Sequence, residues 1–236
     1  MKTVFLGDSL TAGLPGVSYW RFLHNKAKLI NRGVGGDTLL GAIDRAEIML
    51  NDPKYDDIDQ YIIEIGTNDV LLPVLQKRSF ILEMFVKIEE KTNGSVPCKN
   101  IDTFSIKYEQ LLQRLIKLNK KTGVIGLPMI ETNTLLINET MMEYDAVIVG
   151  LCSKYSIPYL DVRQLEAQMK GGNHGTYIYG NTNLFSVIDS VLTSILPLSM
   201  LISKLRGLVV TIDGTHLNRK MAKVLAVAIE AKFLKQ

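Results

Sequence analysis

Short apolar runs alternate with longer amphipathic stretches along this chain. Residues 3–6, 29–31, 60–65, 122–127 and 158–160 form brief, largely apolar runs, the length and pattern of strands. Between them, residues 19–26, 39–50, 104–119 and 139–155 place apolar side chains at helical spacing. A final helix is expected over residues 217–234, with Met221, Val224, Leu225, Ala228 and Ile229 on one stripe. Strands that alternate with helices predict an α/β fold, a parallel sheet covered by helices on both faces. The strand runs are continuously apolar, as burial on two faces requires. In such folds the binding crevice lies beyond the carboxyl ends of the strands. Three polar, glycine-bearing turns sit there: Gly7-Asp8-Ser9 after the first strand, residues 33–38 after the second, and residues 66–69 after the third.

Two stretches depart from this alternation. Residues 70–102 include a helical pattern at 78–91 and a loop at 92–100. Residues 170–207 open with Gly171-Gly172-Asn173-His174-Gly175, pass Tyr177 and Tyr179, and turn apolar from Leu184 to Ile202. Both are expected to be insertions bordering the crevice of one domain that spans residues 1–236. The apolar stretch is long enough to cross a bilayer, but Asp189 and Pro197 interrupt it and several Ser and Thr residues dilute it. A helix packed on the core or in a homodimer is the expected reading. The alternative is a lid or acyl-chain wall that also makes transient contact with a membrane surface.

With 47% hydrophobic and 22% charged residues, a 236-residue chain has enough apolar surface for a sizeable core and is not disordered. A formal charge of +3 and the lack of a dense Lys/Arg cluster interleaved with aromatics give no reason to expect a nucleic-acid partner. Lys117, Lys120 and Lys121 read as a solvated helix end. Cys98 and Cys152 form no CxxC and share no zinc-like spacing with histidine, so free thiols are expected, with a disulfide left open. Residues 1–6 are too short for the apolar core of a signal peptide and run directly into Ser9, which predicts a cytoplasmic protein.

A serine hydroxyl is a weak nucleophile until a base takes its proton and a third group holds that base in the right tautomer. Ser9 is the candidate nucleophile, His216 the base, and Asp213, three residues before it, the orienting acid. Attack on an ester carbonyl creates an oxyanion. The backbone N–H groups of Ser9 and Gly36 and the side-chain amide of Asn68 are the candidate donors. Glycine at 36 lets the main chain approach a substrate without a Cβ in the way. The G-x-S-x-G signature of α/β-hydrolases is absent, since Leu10 and Thr11 follow Ser9. Each residue also has a plainer reading. Ser9 can cap the next helix, Asp213 can cap or turn the chain before the last helix, and Asn68 can be a turn residue. Asp8 and Asp69 are assigned structural work. His174 is expected in an exposed loop and His24 on the surface of a helix.

Gly7-Asp8-Ser9-Leu10, Gly36 within Gly35-Gly36-Asp37-Thr38, Gly66-Thr67-Asn68-Asp69, and Asp213-Gly214-Thr215-His216 occur in that order. Together they resemble the four blocks of the SGNH, or GDSL, hydrolase family. The resemblance implies a flavodoxin-like three-layer α/β/α sandwich with a central parallel sheet of about five strands. It implies Ser9 as nucleophile, Gly36 and Asn68 in the oxyanion hole, His216 as base and Asp213 as its partner, with no metal or organic cofactor. It implies a small-molecule ester or thioester substrate, a lipid or an acetylated sugar among the candidates. The long segment before the Asp213 block departs from compact members of the family. An acyltransferase or a carbohydrate O-deacetylase would use the same site. A non-catalytic binding protein is a third reading, which predicts a broken block.

Overall fold

The first strand, β1 (Thr3–Gly7), is buried at every position, and its side chains alternate between two cores. Val4 and Leu6 face one core and Phe5 the other. β3 (Gln60–Glu64) repeats the pattern, with Tyr61 and Ile63 on one side and Ile62 on the other. A strand buried on both faces must lie mid-sheet. In the computed structural model, which describes residues 1–76, 96–131, 135–170 and 199–235, β1 and β3 are adjacent at the centre. β2 (Leu29–Gly33) is only half-buried along its length and forms one edge. β4 (Lys121–Ile125) and the two-residue β5 (Tyr159–Leu160) complete the other side. All pairings are parallel, in the order β2-β1-β3-β4-β5.

The helices are α1 (Ser9–Ala12), α2 (Leu39–Asn51), α3 (Thr67–Gln76), α4 (Ile101–Lys117), α5 (Leu135–Lys154), α6 (Val162–Lys170), α7 (Ser199–Leu205) and α8 (Arg219–Ile229). α2, α4 and α5 close one face of the sheet; α8, Val162 of α6 and the segment around Tyr19 close the other. The result is a three-layer α/β/α sandwich with the flavodoxin-like strand order. Because the chain leaves β1 toward β2 and then returns to β3, the carboxyl ends of β1 and β3 flank the topological switch point.

The expected strands fall within two residues of the observed ones at each end. The helices depart more. Residues 19–26 do not form one helix. They make two short 3₁₀ turns, Tyr19–Phe22 and Lys26–Lys28, separated by Asn25 in the left-handed region at φ 52°. Successive aromatics cannot share one helical stripe: Tyr19 packs on Phe5 at 6.0 Å between ring centroids, and Lys26 lies over the Trp20 ring. α3 was hidden by Pro73, an interior helix breaker that the structure nonetheless accommodates. α6 was not expected at all. The last helix starts at Arg219 rather than Leu217 because Asn218 caps it, and it ends in a π-helical turn, Glu230–Leu234.

Cys98 and Cys152 are both buried and free, and burial pushes each thiol up to about 12. The helical pattern expected at 78–91, His174 and the apolar stretch 184–198 lie outside the described residues. Among the described residues no helix is long and apolar enough to cross a membrane.

Candidate active site

β1 delivers Ser9 to the switch point. Asp8 follows the strand and accepts a hydrogen bond from Leu10 N at 2.9 Å, which caps the four-residue α1 starting at Ser9. The Ser9 amide therefore occupies the first helical position, where no intrahelical acceptor exists. The Ser9 side chain is nearly covered, and its Oγ lies 3.0 Å from His216 Nε2.

The histidine arrives on a tight turn. Ile212 N donates to His216 O at 2.8 Å, and Thr211 and Leu217 form an antiparallel bridge. Asp213 works twice inside the turn. Its Oδ1 accepts from Thr215 N at 3.0 Å and from His216 N at 2.8 Å; its Oδ2 lies 2.6 Å from His216 Nδ1. A carboxylate can only accept here, so Nδ1 carries the proton, and Nε2 of the neutral ring accepts from Ser9 Oγ. Burial pushes the Asp213 carboxyl upward, but the neighbouring His216, its hydrogen bond and two backbone N–H groups outweigh this and hold it below the usual range. For His216, burial favours the neutral ring, while the Asp213 charge and hydrogen bond, helped by Asp8, raise its pKa above the usual value. Asp213 is thus a turn residue that also holds the His216 ring; the cap of α8 is Asn218.

The oxyanion candidates meet the serine from two more strand ends. Gly36 lies after β2 in a turn closed by Asp37 N donating to Val34 O at 3.3 Å, with φ 72°, the left-handed region that glycine adopts freely. Asn68 is the second residue of α3, just after β3. Its Nδ2 donates to Asp37 O at 2.8 Å and lies 3.4 Å from Asp8 Oδ2, so the amide spans from the Gly36 turn to the residue before the serine. Asp69 performs the structural work expected of it, accepting from Leu39 N and Cys98 N, each at 2.8 Å. All five candidate residues, from four separate segments, thus gather at one edge of the sheet.

Three contributors were not singled out from the sequence. Arg45 of α2 pairs with Asp37, donates to Arg32 O, and donates to Gly7 O at 3.1 Å, tying the ends of β1 and β2 to the Gly36 turn. Glu131 anchors the strip before Asp213. Glu64, the last residue of β3, is buried beside Asp8. Glu64 Oε2 accepts from Thr11 Oγ1 at 2.9 Å, and Thr11 Oγ1 lies 2.7 Å from Tyr19 OH. Asp8 N donates to Glu64 O at 3.3 Å, and the Asp8 charge acts on the Glu64 carboxyl. Two buried carboxyls beside each other disfavour each other's ionisation. Burial raises Asp8 to about 6, while burial and the Asp8 charge push Glu64 well above the usual carboxyl range, which favours the neutral form of Glu64. The available signal was a charged residue inside an otherwise apolar strand, Tyr61-Ile62-Ile63-Glu64-Ile65.

Similarities to known proteins agree with this fold. The model of the GDSL-like Lipase/Acylhydrolase family matches residues 5–181. An α/β-hydrolase enzyme from the metagenome of Lake Arreo, Spain, superposes with a TM-score of 0.63 at 20% identity, covering 98% of this chain and 94% of that one. A variant of an acetyl xylan esterase from Geobacillus stearothermophilus gives 0.61 at 19% identity, over 98% and 93% of the two chains. A GDSL-like lipase from Bacteroides thetaiotaomicron gives 0.58 at 16% identity, over 98% and 86%. A search of curated proteins finds no significant match.

Proposed function

This chain belongs to the GDSL-like lipase/acylhydrolase family and is a carboxylic ester hydrolase, and from that premise we propose that it cleaves esters through an acyl-Ser9 intermediate. The observation that carries the reading is the relay from Ser9 Oγ to His216 Nε2 at 3.0 Å and from His216 Nδ1 to Asp213 Oδ2 at 2.6 Å. His216 takes the Ser9 proton as Oγ attacks the ester carbonyl. Asp213 holds the ring and stabilises the imidazolium that forms. The oxyanion sits among Ser9 N–H, Gly36 N–H and Asn68 Nδ2, displacing Asp8 as the second neighbour of that amide. His216 then hands its proton to the departing alcohol oxygen. In the second half, water gives a proton to His216 and attacks the acyl carbon, and Ser9 Oγ leaves with the proton returned.

A short-chain acyl ester is the proposed substrate, with O-acetylated sugars first in line. An acetyl xylan esterase shares the fold over nearly the whole chain, which favours acetyl esters as the starting set. The test is hydrolysis of p-nitrophenyl esters from acetyl to palmitoyl and of an acetylated oligosaccharide, by wild type and Ser9→Ala. We expect Ser9→Ala to lower kcat by about 10⁵- to 10⁶-fold, the scale of losing a serine nucleophile, and intact mass to show an acyl adduct only on the wild type. Full activity in Ser9→Ala would refute the mechanism. A long-chain optimum would refute the substrate class while leaving the mechanism standing.

A further inference from the structure

We propose that Glu131 is a positioning residue for ester hydrolysis, holding the Asp213–His216 turn in its reactive shape from the far side of Gly214. The inference rests on the assignment of Asp213 and His216 as acid and base above.

Glu131 lies in the loop after β4 and is 4% exposed. Its carboxylate takes up the N–H groups of the strip that leads into the turn. Oε1 accepts from Val209 N at 2.6 Å, and Oε2 accepts from Val210 N at 3.0 Å and Thr211 N at 2.8 Å. Thr211 Oγ1 donates to Oε2 as well, at 2.6 Å. No Lys or Arg forms an ion pair with Glu131 among the described residues, so oriented N–H and O–H dipoles answer its charge. Hydrogen bonds to an ionised group are shorter and stronger than neutral ones, and four on one buried carboxylate make a rigid anchor.

The anchor extends to the turn by two routes. Glu131 N donates to Gly214 O at 2.7 Å, and Gly214 N donates to Thr211 Oγ1 at 3.1 Å. Gly214 follows Asp213 directly and has φ 97°, so it is the point where the chain bends back to bring His216 onto the Asp213 carboxylate. Both of its polar backbone groups are therefore held by Glu131, one directly and one through the Thr211 hydroxyl. The carbonyls on the other side of the strip are held from α7 and the residue after it: Ser203 Oγ donates to Thr211 O at 2.5 Å and Arg206 Nη1 to Ile212 O at 2.6 Å. A residue that acts through Gly214 touches no reacting atom. It sets the Asp213–His216 distance, on which both the tautomer and the basicity of His216 depend.

The test uses Thr211→Val, which removes the hydroxyl relay at constant shape, together with Glu131→Gln and the rescue variant Thr211→Ser. The assay follows kcat, KM and the pH profile of kcat/KM on p-nitrophenyl acetate, with folding checked by circular dichroism. We expect Thr211→Val and Glu131→Gln to lower kcat about 10- to 100-fold, the loss that a displacement of about 1 Å brings, with KM little changed. His216 must be neutral to act, and the nearby Asp213 charge raises its pKa, so loosening the turn moves the acidic limb to lower pH. Thr211→Ser should restore both readings. A folded Thr211→Val or Glu131→Gln with the wild-type rate and limb would overturn the inference. So would a rate loss with an unmoved limb, which marks a merely structural role. Wild-type activity in Asp213→Ala would instead bring down the acid–base assignment, and this inference with it.

Discussion

At the scale of single residues, the least expected feature is the buried pair of carboxyls, Asp8 and Glu64. An ionised Glu64 beside an ionised Asp8 would put two negative charges under the serine, in the medium where charge is most costly. Holding Glu64 neutral leaves Asp8 as the single anion, and its field adds to that of Asp213 in raising His216. The arrangement has a measurable cost. Glu64 keeps its proton in the folded state, whereas the unfolded chain releases it near the ordinary value of 4.5. Between that pH and the raised folded value, folding must take up a proton, so stability falls as pH rises, by about 1.4 kcal/mol per pH unit for one proton. Glu64→Gln, which keeps the side chain's shape and cannot ionise, should flatten that slope. Urea unfolding of both proteins at pH 5.5, 6.5 and 7.5 measures it. An unchanged slope would show that Glu64 is not the proton holder.

At the scale of elements, each functional side chain stands where an element begins or ends. Ser9 opens α1, Asn68 is the second residue of α3, and His216 comes just before the cap of α8. Helix starts suit this task because their free N–H groups favour a developing negative charge. The cap of α8 does more than end a helix. Asn218 Oδ1 accepts from Lys220 N and Met221 N at 3.0 Å each, while Nδ2 donates to Ser203 Oγ at 3.1 Å and Val209 O at 2.8 Å. One residue thus fastens α8, α7 and the strip bearing Asp213. Asn218→Ala should destabilise the protein by about 2 kcal/mol, the upper range for a lost cap, since two further buried bonds go with it. Asn218→Asp should recover the capping part only. Chemical denaturation resolves the pair, and equal stability of all three proteins would contradict the role given to Asn218.

At the scale of the whole molecule, the site is a consequence of topology. Ser9 and His216 are 207 residues apart in sequence and meet only because β1 occupies the middle of the sheet while α8 packs across it. The site should therefore vanish with the fold and not before it. In a urea titration, Ser9 labelling by a fluorophosphonate and the fluorescence of Trp20, which lies against the α8 core, should report one midpoint. Labelling lost well before the fluorescence changes would mean that the Asp213–His216 turn opens on its own. By itself, the sequence determined the five strands, because burial on both faces demands continuous apolar runs that little else produces. It also singled out Ser9, Gly36, Asn68, Asp213 and His216 as candidates, because each sits in a polar, glycine-bearing block whose chemistry is local. Only the tertiary structure decided what surrounds them. Arg45 and Glu131 sit among ordinary neighbours in the chain, Glu64 shows only as a charge in an apolar run, and the groups they hold, such as Gly7 O, Thr11 Oγ1 and Thr211 N, lie tens of residues away. Neither periodicity nor local composition records such distant pairings. The broken turns at residues 19–28 and the helix running through Pro73 were likewise settled by packing, since tertiary contacts outweigh the weak local preferences that pattern reading relies on.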